Sequence, residues 1–94
     1  MPKFSLEIPH TLGPQEAKTR LENAQSKLEA EYGAKCSWAG SDVMQVTRKG
    51  LDASVKVEAN RLAVNVSLGF LMTPMMGTIR DGITARLTKL VSEG

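Results

Sequence analysis

The chain is poor in the residues most catalytic and metal-binding proteins rely on. Its 94 residues include one cysteine and one histidine. A lone thiol cannot close an intrachain disulfide, and a lone imidazole excludes a multi-histidine metal centre. No metal and no cofactor is therefore expected. The net charge is only +2, from 12 Lys and Arg scattered among 10 acids. Without a basic stripe to track phosphates, nucleic acid is not an expected partner. Gly69, Gly77 and Gly82 form no glycine-rich loop between a strand and a helix, and no Gly-Lys-Ser/Thr follows them, so a phosphate cradle is excluded too.

Long apolar runs are missing as well. The longest, residues 68–76, is broken by Gly69, Thr73 and Pro74 and falls far short of the roughly 20 residues a spanning helix requires. No charged-then-apolar leader opens the sequence, and a cytoplasmic location is the expectation. Neither internal repeat, low-complexity tract nor linker divides the chain, so residues 1–94 are read as one domain. Hydrophobic residues at 41% and charged residues at 23% predict a folded globular protein. A chain this short buries only about 60 to 65% of its unfolded surface. Self-association, for example as a homodimer, would add to a small core.

What the sequence does have is clear periodicity, best developed near its end. In Arg61–Leu68, the apolar Leu62, Val64, Val66 and Leu68 alternate with Arg61, Ala63, Asn65 and Ser67, a strand with one buried face. Gly69 ends the alternation. Thr73 is a candidate helix cap and Pro74 a candidate first helical residue. Met76, Ile79, Ile83, Leu87 and Leu90 then recur at helical spacing.

Earlier in the chain, Phe4, Leu6 and Ile8 alternate with Lys3, Ser5 and Glu7 as a first strand ended by Pro9. After the loop His10-Thr11-Leu12-Gly13, Pro14 opens a helix whose stripe is Ala17, Leu21, Ala24, Leu28 and Tyr32, with Lys18, Glu22, Gln25 and Glu29 outside and Gly33 as a left-handed stop. Ala34, Cys36 and Trp38 alternate up to the turn Gly40-Ser41-Asp42. Residues 43–48 and 51–58 make two further strands around Lys49-Gly50, and Ala59-Asn60 leads into the strand described above. The connections between these four strands are too short for crossovers, so they must be antiparallel. The fold class predicted is α+β: a single antiparallel sheet of about five strands, order β-α-β-β-β-β-α, with two helices on one face in a reduced helix-grip arrangement. Its other face is polar and mixed in sign, as a solvated face would be.

Few side chains are candidates for chemistry. His10 sits where the first strand meets the first helix and is expected to order that junction. Cys36 lies on the apolar face beside Trp38 and reads as a small buried hydrophobe. The carboxylates Glu29, Glu31, Asp52 and Glu58 make no acid and base pair. Gly77 and Gly82, inside the last helix, suggest close packing of helix on sheet. There remain Phe70, Leu71, Met72, Met75 and Met76, more apolar residues than the start of one helix can bury. Two readings stand: they close one end of the core, or some are exposed as a binding corner.

Pro9-His10-Thr11-Leu12-Gly13 after a short strand, a charged helix ending in Tyr32-Gly33, Trp38-Ala39-Gly40, the meander, Leu68-Gly69 and a closing helix with Ile79-Arg80 resemble, in that order, the small bacterial polyhydroxyalkanoic acid system family. The resemblance spans essentially the whole chain. It implies a link to polyhydroxyalkanoate synthesis and storage granules, without an established catalytic activity, and allows a location at storage granules in the cytoplasm. The long repetitive helices of granule-coating phasins are absent. The expectation is a non-enzymatic accessory protein that meets a hydrophobic polymer surface, or a granule-associated protein, through Phe70, Leu71, Met72, Met75 and Met76. Two alternatives are a carrier of an apolar or acyl small molecule between sheet and helices, and an enzyme that brings His10 and Cys36 together.

Overall fold

The computed structural model of the chain describes residues 3–92. Its elements run β1 (Lys3–Pro9), α1 (Gly13–Tyr32), β2 (Lys35–Ala39), β3 (Val43–Arg48), β4 (Leu51–Val57), β5 (Arg61–Leu68), a 3-10 segment (Phe70–Met75) and α2 (Met76–Ser92). The five strands form one antiparallel sheet. Strand and helix order agree with the α+β class read from the periodicity.

Across the sheet the order is β1-β5-β4-β3-β2, which periodicity alone does not specify. The four-strand meander follows from its short turns, and β1 then closes onto β5, with Leu6 opposite Val64 and Ile8 opposite Leu62. This registry joins the two strands whose apolar positions alternate most regularly. It places Ile8, Leu62, Val64, Val66 and Leu68 beneath the helices, where all five are buried. Met44, Val55 and Val57 continue the same face across β3 and β4. The opposite face is polar and tied together by its own side chains. Arg61 bonds both Glu7, at 2.8 Å, and Glu58, at 2.6 Å, and Ser5 Oγ donates to Asn65 Oδ1 at 2.9 Å.

α1 contributes Ala17 and Leu21, both at 0% exposure, to the centre of the core. Gly33 ends it in the left-handed conformation, φ 61°, as expected of a helix-stopping glycine. Further along the predicted stripe Ala24 and Leu28 are half-buried and Tyr32 is exposed, because α1 is only partly covered there. Three of the side chains expected to face water do otherwise. Gln25 and Glu29 hydrogen-bond to the backbone of β2, and Lys18 Nζ lies 5.3 Å from the centre of the Trp38 ring.

The start of α2 differs from the capped helix that Thr73 and Pro74 suggest. Helical bonding begins sooner, when the Met72 amide bonds the Gly69 carbonyl at 3.0 Å. Residues 70–75 are in 3-10 geometry, with Pro74, which has no amide to donate, inside the segment. The Met76 amide then bonds the Thr73 carbonyl, and α2 proper begins. Leu87 and Val91 are the buried anchors of α2, with Met76, Ile79, Ile83 and Leu90 packed partly against the core. Gly77 and Gly82 are exposed, and a Cβ at either would meet nothing within 4 Å. The close helix-on-sheet packing expected of them is absent.

Candidate functional site

The corner after β5 begins at a close backbone contact. The Gly69 amide donates to the Gly50 carbonyl at 2.8 Å, extending the β4–β5 ladder by one residue beyond Leu51 and Leu68. Met72 lies over the same place, its Sδ 3.0 Å from where a Cβ on Gly50 would stand. Met72 and Met76 both pack against the core. These two residues of the expected binding set are partly buried and form the base of the corner.

The other three point outward. Phe70 is 86% exposed, Leu71 89% and Met75 49%. Residues 69–79 carry no charge, and Thr73, Pro74, Gly77 and Thr78 around them are exposed too. The 3-10 geometry accounts for Phe70 and Leu71: with three residues per turn, Met72 faces the core and these two fall on other sides of the segment, while Met75, one turn beyond Met72 on its edge, is left about half exposed. Leaving Phe70 and Leu71 in water forgoes about 1.5 to 3 kcal/mol each that full burial would supply. The corner is thus an uncharged surface with two large apolar side chains almost fully exposed.

His10 is 7% exposed and sits at the opposite end of the sheet from this corner. Its Nδ1 accepts the Leu12 amide at 3.3 Å, and its Nε2 lies 3.1 Å from the Glu58 carbonyl oxygen. The neutral tautomer with the proton on Nε2 satisfies both bonds. The backbone amide of His10 also bonds the Asn60 carbonyl at 2.9 Å. One side chain thereby links the end of β1, the residue that precedes α1 and the β4–β5 turn. A partner 48 residues away gives no signal in the local sequence.

Cys36 lies in β2, on the other edge of the sheet from β1. With strands about 4.8 Å apart, four intervals place it on the order of 19 Å from the β1 edge, and His10 already bonds groups on other elements. The pairing an enzyme of the His10 and Cys36 type needs is not assembled. Burial, and secondarily the nearby Glu29 carboxylate, push the Cys36 thiol above its ordinary pKa, the reverse of an activated nucleophile. On the polar face, the hydrogen bond from Arg61 holds the Glu58 carboxyl below its usual range, consistent with a surface ion pair.

Between sheet and helices the space is filled. Leu21, Met44, Leu62, Val64, Val66 and Leu68 are all below 2% exposure and occupy the region where an acyl chain would have to lie. The depression between α1 and α2 is an open groove flanked by Arg20, Lys27, Arg86 and Lys89. Arg20 there bonds the Leu90 carbonyl at 3.0 Å, and Arg86 is paired with Glu31. Among the described residues no cluster of three or more His, Cys, Asp or Glu is placed to hold a metal ion, and no helix is long and apolar enough to cross a membrane.

The chain folds as a small α+β domain with one exposed, uncharged apolar corner. The family model described as "Putative polyhydroxyalkanoic acid system protein" matches residues 4–91, and the chain belongs to that polyhydroxyalkanoic acid system family. The curated proteins and the solved structures contain no significant match to it.

Proposed function

We propose that this protein is a non-enzymatic accessory component of the polyhydroxyalkanoate system that adsorbs to the storage polyester through Phe70, Leu71 and Met75. The observation that carries this reading is the near-complete exposure of Phe70 and Leu71, 86% and 89%, on an uncharged corner whose base is pinned to the sheet. The family supplies the setting, and the polymer supplies the kind of surface such a corner fits. Two anchors of this size give modest, reversible adsorption, since ordering and association costs offset part of the burial gain.

Cosedimentation of the purified protein with protein-stripped polyester granules, against a size-matched soluble control, tests the proposal. Enrichment with granules supports it. No enrichment with bare polymer, together with retention on granules that keep their protein coat, would assign the corner to a protein partner instead.

A further inference from the structure

The two edges of the sheet are not alike. At β2, α1 blunts the centre of the edge: the Cys36 amide donates to Glu29 Oε2 at 3.0 Å, and Gln25 Nε2 donates to the Cys36 carbonyl at 3.1 Å. An added strand would have to displace both bonds. β1 has no such cover. The bond from the His10 amide to the Asn60 carbonyl continues the β1–β5 register, and opposed residues in an antiparallel ladder alternate between bonded and non-bonded pairs. Even-numbered positions of β1 therefore bond β5. The backbone amides and carbonyls of Lys3, Ser5 and Glu7 point away from the sheet, and no described residue hydrogen-bonds to them. Pro9, with no amide to offer, falls on the same outward side and closes one end of the free edge.

We propose that this edge is a homodimer interface, in which β1 pairs antiparallel with β1 of a second copy about a two-fold axis through Ser5. The sequence of β1 is self-complementary in that register. Lys3 stands opposite Glu7 of the second copy, Ser5 opposite Ser5, and Glu7 opposite Lys3, and each of these is a bonded pair that exchanges amide and carbonyl. Opposite charges meet on the polar face at both ends of the interface, where such cross-strand pairs are favourable. On the helix face, Phe4 meets Leu6 of the second copy, and both are half-buried in the single chain. A shift of two residues in either direction loses both Lys–Glu pairs, and one of the two shifts sets Pro9 against the Lys3 ladder position. The axis is perpendicular to the sheet, so the helices of both copies lie on one side of a continuous ten-strand sheet. The dimer also carries two apolar corners, which raises the avidity of a weak single contact.

Sedimentation velocity over a concentration series tests the interface, with a monomer–dimer equilibrium expected. Ser5→Pro removes an amide that the monomer does not use, along with the exposed hydroxyl bond to Asn65. It should raise the dimer dissociation constant roughly 10- to 100-fold while leaving the circular dichroism unchanged. Lys3→Glu and Glu7→Lys should each weaken self-association about 10-fold by placing like charges opposite one another. An equimolar mixture of these two variants should recover dimer, because every cross-strand pair is again of opposite sign; this arm stands even if Ser5→Pro fails to fold. A chain monomeric into the millimolar range would overturn the proposal, as would a dimer indifferent to all three substitutions, which would place its contact elsewhere.

Discussion

The Gly69 amide donates to the carbonyl of Gly50 at 2.8 Å, and through this bond the turn between β3 and β4 holds the base of the apolar corner. The backbones approach so closely that a Cβ on Gly69 would lie 3.3 Å from the Gly50 Cα, and Gly50 itself has φ +85° with Met72 Sδ against it. Gly50→Ala should therefore cost about 1 to 2 kcal/mol, the penalty of a left-handed non-glycine residue, with any displacement of Met72 adding to it. Urea denaturation measures this. A neutral result would mean that the turn does not pin the corner.

Gly77 and Gly82 make the opposite case. Both lie within α2 with open space where a Cβ would be. Gly77→Ala and Gly82→Ala should each stabilise the protein by about 0.5 to 1 kcal/mol. Thermal unfolding of the single variants and of the pair gives the answer. A fall in stability would show that this face is packed against something in solution.

His10→Ala leaves the Glu58 carbonyl and the Leu12 amide without their partner. With His10 only 7% exposed, the expected loss is about 1 to 3 kcal/mol. Hydrogen exchange should show opening confined at first to the β1–α1 junction and the β4–β5 turn. Granule adsorption by the folded variant should match that of the parent, because the corner lies at the other end of the sheet.

Much of this architecture is legible in the residues, for specific reasons. The alternation in Arg61–Leu68 and in Phe4, Leu6 and Ile8 marks two strands with one buried face each, and Pro14 and Gly33 bracket α1. Period-two signals fix which face is buried but not which strands are neighbours, so the β1–β5 pairing emerges only in three dimensions. Thr73-Pro74 has the composition of a helix start, yet the bond from Met72 to Gly69 begins helical geometry before it. With that change of register Met72 packs against the core while Phe70 and Leu71 stand clear of it. A count of hydrophobic residues shows a surplus between 70 and 76; it does not separate Phe70, Leu71 and Met75 from Met72 and Met76. The roles of Gln25 and Glu29 at β2 are equally hidden, since on a helical wheel they belong to the wet side.

Burial and the Glu29 carboxylate raise the Cys36 thiol above its ordinary pKa, so at neutral pH the folded protein holds less thiolate than a free cysteine would. Reaction with an aromatic disulfide reagent should be at least about 10-fold slower in the native protein than after unfolding in denaturant. The sign for stability follows from linkage. A folded-state value above the unfolded one gives a contribution fully present below the ordinary thiol range and lost as pH rises through the raised value. Cys36→Ser should therefore flatten the alkaline limb of the stability profile. An unchanged alkaline limb, or native reactivity equal to that of the unfolded chain, would contradict the burial of this thiol.

The central claim is that Phe70, Leu71 and Met75 meet the polymer while Met72 and Met76 hold the corner in place. Its most direct measurement is the partition of a Phe70→Ser, Leu71→Ser, Met75→Ser variant between buffer and protein-stripped polyester granules, with folding checked by circular dichroism. If each large side chain contributes even 1 kcal/mol at the surface, the partition coefficient should fall by roughly 100-fold or more, with stability unchanged because these side chains are exposed in the parent. A folded variant that partitions as the parent does would contradict the account.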